Sequence, residues 1–243
     1  SQVQKLLGIF DHYIIMDDVE ITDLSGKLCA VGIAGPKAND ALRSAGLDFP
    51  PLQPLSTADV TWRDVPLAVV RCDAPSIESY EIWVSSENKS SLQDALEKSG
   101  ARRVGTTALN LLRIAQGIPR FGMDIRERDL PQETGQQRAL HFTKGCYIGQ
   151  EIVERIRSRG NVHRMFTGFT VEGALPEPGT KINVGGKEVG EITSAASLPL
   201  RTGDYSVALG YLRREAAIPG KPIQLENSVL TIANLPFSEV FKR

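Results

Sequence analysis

The residues best suited to chemistry lie together between Phe142 and Gly160, in the run Phe-Thr-Lys-Gly-Cys-Tyr-Ile-Gly-Gln-Glu-Ile-Val-Glu-Arg-Ile-Arg-Ser-Arg-Gly. Ile148, Ile152 and Ile156 recur at helical spacing, which predicts a helix that starts near Cys146, buries these three on one apolar stripe and stops at Gly160. Cys146 would then sit at or just before the positive end of a helix dipole, with Lys144 two residues upstream. Both features favour thiolate over thiol, and the thiolate is the nucleophile. Glycines at 145 and 149 let the backbone turn sharply and let a ligand approach closely. The other reading, a small buried cysteine in a glycine-built turn, is the less favoured one once Lys144 and the helix start are counted.

Other reactive residue types are scattered. Cys29 lies within a buried-looking strand and Cys72 at the end of one, so both read as core filling. His141 and His163 bracket the basic helix and could act as acid or base, but neither has the HxxxH or HExxH spacing of a metal ligand. No metal site is expected. Gly35-Pro36 opens a helix and lacks the repeated glycines of a phosphate loop, and no GxSxG, Walker A or CxxC motif occurs. Three cysteines form an odd, sparse set that suits a reducing compartment, the cytoplasm or, in a eukaryote, the mitochondrial matrix.

The chain of 243 residues, with 41% hydrophobic and 23% charged residues, has the composition of an ordinary globular protein of one large or two smaller domains. Its apolar runs fall far short of the roughly 20 residues that cross a bilayer, and no secretory signal is expected at its start. The net charge of −1 makes general nucleic-acid binding a poor reading. Between Arg138 and Arg164, however, six cations face two anions, giving a local +4 within an otherwise acidic chain. A basic island of this kind suits a local anionic ligand, although a solvated helix face would look the same.

The elements that must position these residues follow from periodicity. Tyr13 to Ile21 and Leu28 to Ala34 read as strands, the second as a buried one. A helix runs from Gly35-Pro36 to about Ser44, strands cover Val65 to Arg71 and Tyr80 to Val84, and a helix from Ser90 to Ser99 closes at Gly100. Thr106 or Thr107 caps a further helix ending at Gly117. After Arg164, Gly- and Pro-punctuated short strands replace helical patterns: Met165 to Val171, Lys181 to Val184, Lys187 to Ser194, Val207 to Leu212, Pro222 to Leu225 and Val229 to Leu235. The expected fold is therefore α+β over residues 1–164, followed by a small β-barrel over 165–243.

Lys144-Gly-Cys-Tyr-Ile-Gly-Gln-Glu151 resembles the K-G-C-Y-x-G-Q-E signature of the YgfZ-type folate-binding proteins, relatives of the glycine-cleavage T-protein and of mitochondrial iron–sulfur assembly factors. Leu130-Pro-Gln-Glu133, Arg113-Ile-Ala-Gln-Gly-Ile-Pro119, Arg159-Gly160, Gly190-Glu-Ile-Thr-Ser194 and Ala208-Leu-Gly-Tyr-Leu212 extend the likeness over the whole chain. It implies α+β domains around a central opening that holds tetrahydrofolate, with a C-terminal β-barrel, and a chain that begins partway through the first domain.

The resemblance implies a tetrahydrofolate-binding accessory protein for assembling or repairing iron–sulfur enzymes, with those enzymes as partners. Cys146 would be the functional thiol and Lys144 would tune it. Tyr147 would stack on the pterin, Gln150 would address its edge, Glu151 would complete the binding set, and Arg155, Arg159 and Arg164 would take the glutamate tail. The alternative is an aminomethyltransferase that works with a lipoyl carrier. Against it, the glutamate that those enzymes place before Gly-Ile-Pro is replaced by Ala115, and their N-terminal aspartate would precede Ser1. Whether the chain is an enzyme is left open. An RNA-binding reading of the basic helix suffers from few aromatic platforms nearby.

Overall fold

The computed structural model describes residues 2–16, 18–160, 162–201, 203–218 and 220–241, together with every side chain among them except that of Arg159. They form two compact units, Ser1–Arg103 and Val104–Arg243.

The first unit holds helix α1 (Gln2–Tyr13), strand β1 (Leu28–Ala34), α2 (Ala38–Ser44), β2 (Thr57–Trp62), β3 (Val65–Arg71), β4 (Ser79–Ser85) and α3 (Lys89–Lys98). Its antiparallel sheet has the order β1-β4-β3-β2, with Cys29 opposite Val84 and Val69 opposite Ile82. One face of the sheet and the two helices α2 and α3 enclose Leu42, Leu47, Trp62, Val69, Ile82 and Leu92. Each of these large apolar side chains contributes on the order of 1.5–3 kcal/mol by leaving water. Trp62 keeps its indole N–H satisfied by donating to the Ala45 carbonyl at 2.8 Å.

Two sequence expectations change here. Tyr13 ends α1, the Ile14 amide donates to the Phe10 carbonyl, and no strand forms between residues 14 and 21 among the described residues. Val19 and Ile21 stay exposed, so the alternating pattern found no neighbouring strand to bury it. The apolar run of β1 lies at the edge of the sheet and buries only Val31, because just one of its faces meets the helices.

The second unit holds α4 (Thr106–Ala115), α5 (Gln150–Arg159), β5 (Arg164–Gly173), β6 (Lys181–Val184), β7 (Lys187–Leu200), β8 (Gly203–Arg213), β9 (Ile223–Gln224), β10 (Ser228–Ala233) and α6 (Ser238–Phe241). The six strands form one antiparallel sheet in the order β6-β7-β8-β5-β10-β9. Its two end strands approach each other, so the sheet nearly closes into the expected barrel. All six strands expected from the Gly and Pro punctuation are present, and β7 runs on to Leu200 through a bulge between Ile192 and Ser194.

β8 is buried along Val207–Leu212 because its two faces serve two cores. Ala208 and Leu212 point into the barrel with Phe169 and Ile192, while Leu209 and Tyr211 meet Ile114 of α4 and Phe237. The cap of α4 is Gly105 rather than a threonine, with no side-chain hydrogen bond.

Candidate functional site

Helix α5 starts at Gln150, four residues later than the isoleucine spacing suggests. Gly149 adopts φ +86° and breaks the helical path, a conformation that glycine alone takes without strain. Cys146 therefore precedes the helix on an irregular loop and is exposed. The stripe is also shifted: Val153 is the buried residue of α5 and Ile156 is half-buried, whereas Ile148 and Ile152 are 72% and 47% exposed.

Around the thiol, the Lys144 ammonium lies 4.9 Å from the centre of the Tyr147 ring. The Tyr147 amide donates to Oε1 of Gln150 at 3.1 Å, which commits that oxygen to the loop, while the carboxamide N–H groups meet no acceptor among the described residues. Nδ1 of His141 accepts the amides of Thr143 and Lys144 at 3.2 and 2.9 Å. Arg157 covers the Phe142 ring at 4.6 Å and pairs with Glu154 at 3.3 Å. Glu151 and Arg155 are exposed on α5, and the side chain of Arg159 lies outside the described residues. Lys144, Cys146, Tyr147, Gln150, Glu151 and Arg155 thus fall on one loop and the helix it enters.

Arg164 stands apart from this group. Its Nη2 donates to Asp129 at 2.7 Å, its Nε donates to Glu133 at 3.0 Å, and its guanidinium covers the Tyr211 ring at 4.6 Å. Burial works against its charge, but the two carboxylates outweigh that and raise its pKa further. The donors expected to receive a ligand's carboxylates are used inside the protein.

These contacts belong to a charged network that sequence reading missed. Asp124 is fully buried and accepts from Arg113 Nη1 at 2.6 Å, the Arg120 amide at 2.9 Å, Thr193 Oγ1 at 2.5 Å and Ser194 Oγ at 2.7 Å. Asp129 accepts the Arg126 amide at 2.7 Å as well as Arg164. Arg126 reaches Glu191 at 3.0 Å, and Glu191 also pairs with Lys181 at 2.9 Å. Burial pushes the Glu191 carboxyl up, but Lys181 and Arg126 bring it below its ordinary value. The segments Arg113–Pro119 and Gly190–Ser194, far apart in sequence, meet through Asp124. Gln132 and Glu133 have physical roles too: Gln132 Nε2 donates to the Val153 carbonyl of α5 at 3.1 Å, while Glu133 holds Arg164 at the start of β5.

Tyr211 joins this network through its ring, which lies under the Arg164 guanidinium. Its hydroxyl is buried, finds no hydrogen-bond partner among the described residues, and its pKa is pushed up by burial and by the charge of Asp129. Tyr211→Phe should therefore leave stability unchanged or raise it by about 1 kcal/mol, since an unpaired buried hydroxyl is a cost. Urea denaturation measures this, and a loss of more than about 1 kcal/mol would mean that the hydroxyl bonds a group outside the protein chain.

Among the described residues, no cluster of three or more His, Cys, Asp or Glu is arranged to hold a metal ion, and no helix is long and apolar enough to cross a membrane. Ala115, where the resemblance expects a glutamate in aminomethyltransferases, is buried beside Phe237, and its carbonyl accepts the Phe237 amide at 3.0 Å.

Known proteins match most of this chain. A chloroplastic protein of Arabidopsis thaliana that carries a transferase name is 28% identical over 233 residues, covering 95% of this chain and 53% of that protein. An aminomethyltransferase of Symbiobacterium thermophilum is 29% identical over 206 residues, covering 81% of this chain and 54% of that protein. The chain thus spans about half the length of the curated relatives it matches. The crystal structure of the glycine cleavage system aminomethyltransferase T from Bartonella henselae superposes with a TM-score of 0.72 at 23% identity, over 86% of this chain and 59% of that one, which establishes a shared fold. The GCVT N-terminal domain matches residues 1–144 and the CAF17 C-terminal beta-barrel domain matches residues 164–237. The chain belongs to the GCVT N-terminal domain family, in the CAF17/YgfZ branch that ends in this β-barrel.

Proposed function

We propose that the protein binds a reduced folate and supports the assembly or repair of iron–sulfur enzymes, with Cys146 as its functional thiol. The observation that carries this reading is the exposed Cys146 on a loop whose amides are fixed on both sides of it. A bound tetrahydrofolate would supply a one-carbon carrier. Tyr147, half-buried with Lys144 against its ring, would pack on the heterocycle, and Gln150 would offer its free N–H groups to a ring carbonyl. Arg155 is free of the internal network that holds Arg164, so it is the better guanidinium for the ligand's carboxylates. Lys144 orients the Tyr147 ring and places a cation on the thiol loop. The three free cysteines support a reducing compartment, cytoplasm or mitochondrial matrix.

The test pairs two measurements on Cys146→Ala. Folate affinity should stay close to wild type, while restoration of iron–sulfur enzyme activity in cells lacking the gene should fall about tenfold or more. Full restoration by the variant would rule the thiol out.

A second reading, aminomethyl transfer to tetrahydrofolate, is favoured by the names of several relatives. The buried Ala115 counts against it, because a carboxylate there would enter an apolar cluster beside Phe237. Clear formation of methylene-tetrahydrofolate with a lipoyl carrier would reverse this ranking.

A further inference from the structure

The thiol loop between His141 and Gln150 has no ladder of its own to hold it, and Gly145 beside Cys146 adds backbone freedom. Two side chains take the place of that ladder. At the entrance, Nδ1 of His141 accepts the amides of Thr143 and Lys144, two and three residues on. At the exit, Oε1 of Gln150 accepts the Tyr147 amide. Cys146 lies between these pinned points, and the Lys144 ammonium over the Tyr147 ring braces one against the other.

We propose that His141 is a positioning residue for Cys146, acting as a latch that fixes the backbone from which the thiol projects. The inference rests on the reading of Cys146 as the functional thiol. An imidazole can accept at Nδ1 only when that nitrogen carries no proton, so the latch requires the tautomer protonated at Nε2. The acceptor sits one bond beyond Cγ, where asparagine carries its own carboxamide oxygen, and asparagine closes the same turn onto amides two and three residues on. His141 is exposed and belongs to none of the buried apolar clusters, so the fold does not depend on it.

The experiment compares His141→Ala, His141→Asn and Cys146→Ala in the full chain, by amide hydrogen exchange at Thr143 and Lys144, thermal melting, and restoration of iron–sulfur enzyme activity in cells lacking the gene. In His141→Ala the two amides should exchange on the order of tenfold faster and activity should fall about tenfold, with the melting temperature unchanged. His141→Asn should recover both protection and activity, which a merely space-filling role for the ring would not produce. Unchanged exchange in His141→Ala, or retained activity despite lost protection, overturns the latch while Cys146→Ala remains inactive. If Cys146→Ala itself retains activity, the thiol reading fails first and the latch has nothing to position.

Discussion

Asp124→Ala should unfold the second unit or cost it about 3–5 kcal/mol, the range seen when one partner of a buried, hydrogen-bonded charge pair is removed. Asp124 has no exposed surface, and four donors converge on its two oxygens. Removing the carboxylate strands the Arg113 guanidinium, whose side chain is only 13% exposed, leaves the Ser194 hydroxyl and the Arg120 amide without their acceptor, and leaves Thr193 only the Leu209 carbonyl at 3.3 Å. Arg113 would retain Asn110 and Ser194 as acceptors, but both are neutral. Asp124→Asn is the sharper variant: it keeps the shape but turns one acceptor into a donor facing donors, so it should cost nearly as much. Urea titration followed by circular dichroism measures both, and a loss below about 1 kcal/mol for either would show that the network is incidental.

Arg164→Ala should cost about 2–4 kcal/mol, somewhat less because its side chain is 29% exposed and water can partly replace it. The loss arises from Asp129, whose side chain is fully buried, and from the largely buried Glu133, both of which lose their main cation. Adding Glu133→Gln to Arg164→Ala should recover part of the loss, since contacting residues do not behave additively. Folate affinity separates this from a ligand-binding role: among molecules that remain folded it should be unaffected by Arg164→Ala and weakened by Arg155→Ala.

The barrel was legible because its turns are chemically marked. Gly179, Gly185, Gly186 and Gly220 all have positive φ, and the strands between them alternate or run apolar according to how many faces they bury. The thiol loop was legible as a cluster of residue types, but its geometry was not. Helical spacing extends through Ile148, yet the left-handed Gly149 interrupts the helix and turns that isoleucine outward. The network around Asp124 and Asp129 was invisible for a different reason. Its links join residues 35, 70 and 81 positions apart, and pairing over such separations leaves no period in the sequence. Arg164 reads as part of a basic island because the acids that claim it, Asp129 and Glu133, lie upstream of Arg138, where the island begins.

The short turn from Leu130 to Glu133 grips α5 with one side chain and the first barrel strand with the next. The helix behind the thiol loop and the start of the barrel thus share one anchor, and loss of that turn would loosen both at once.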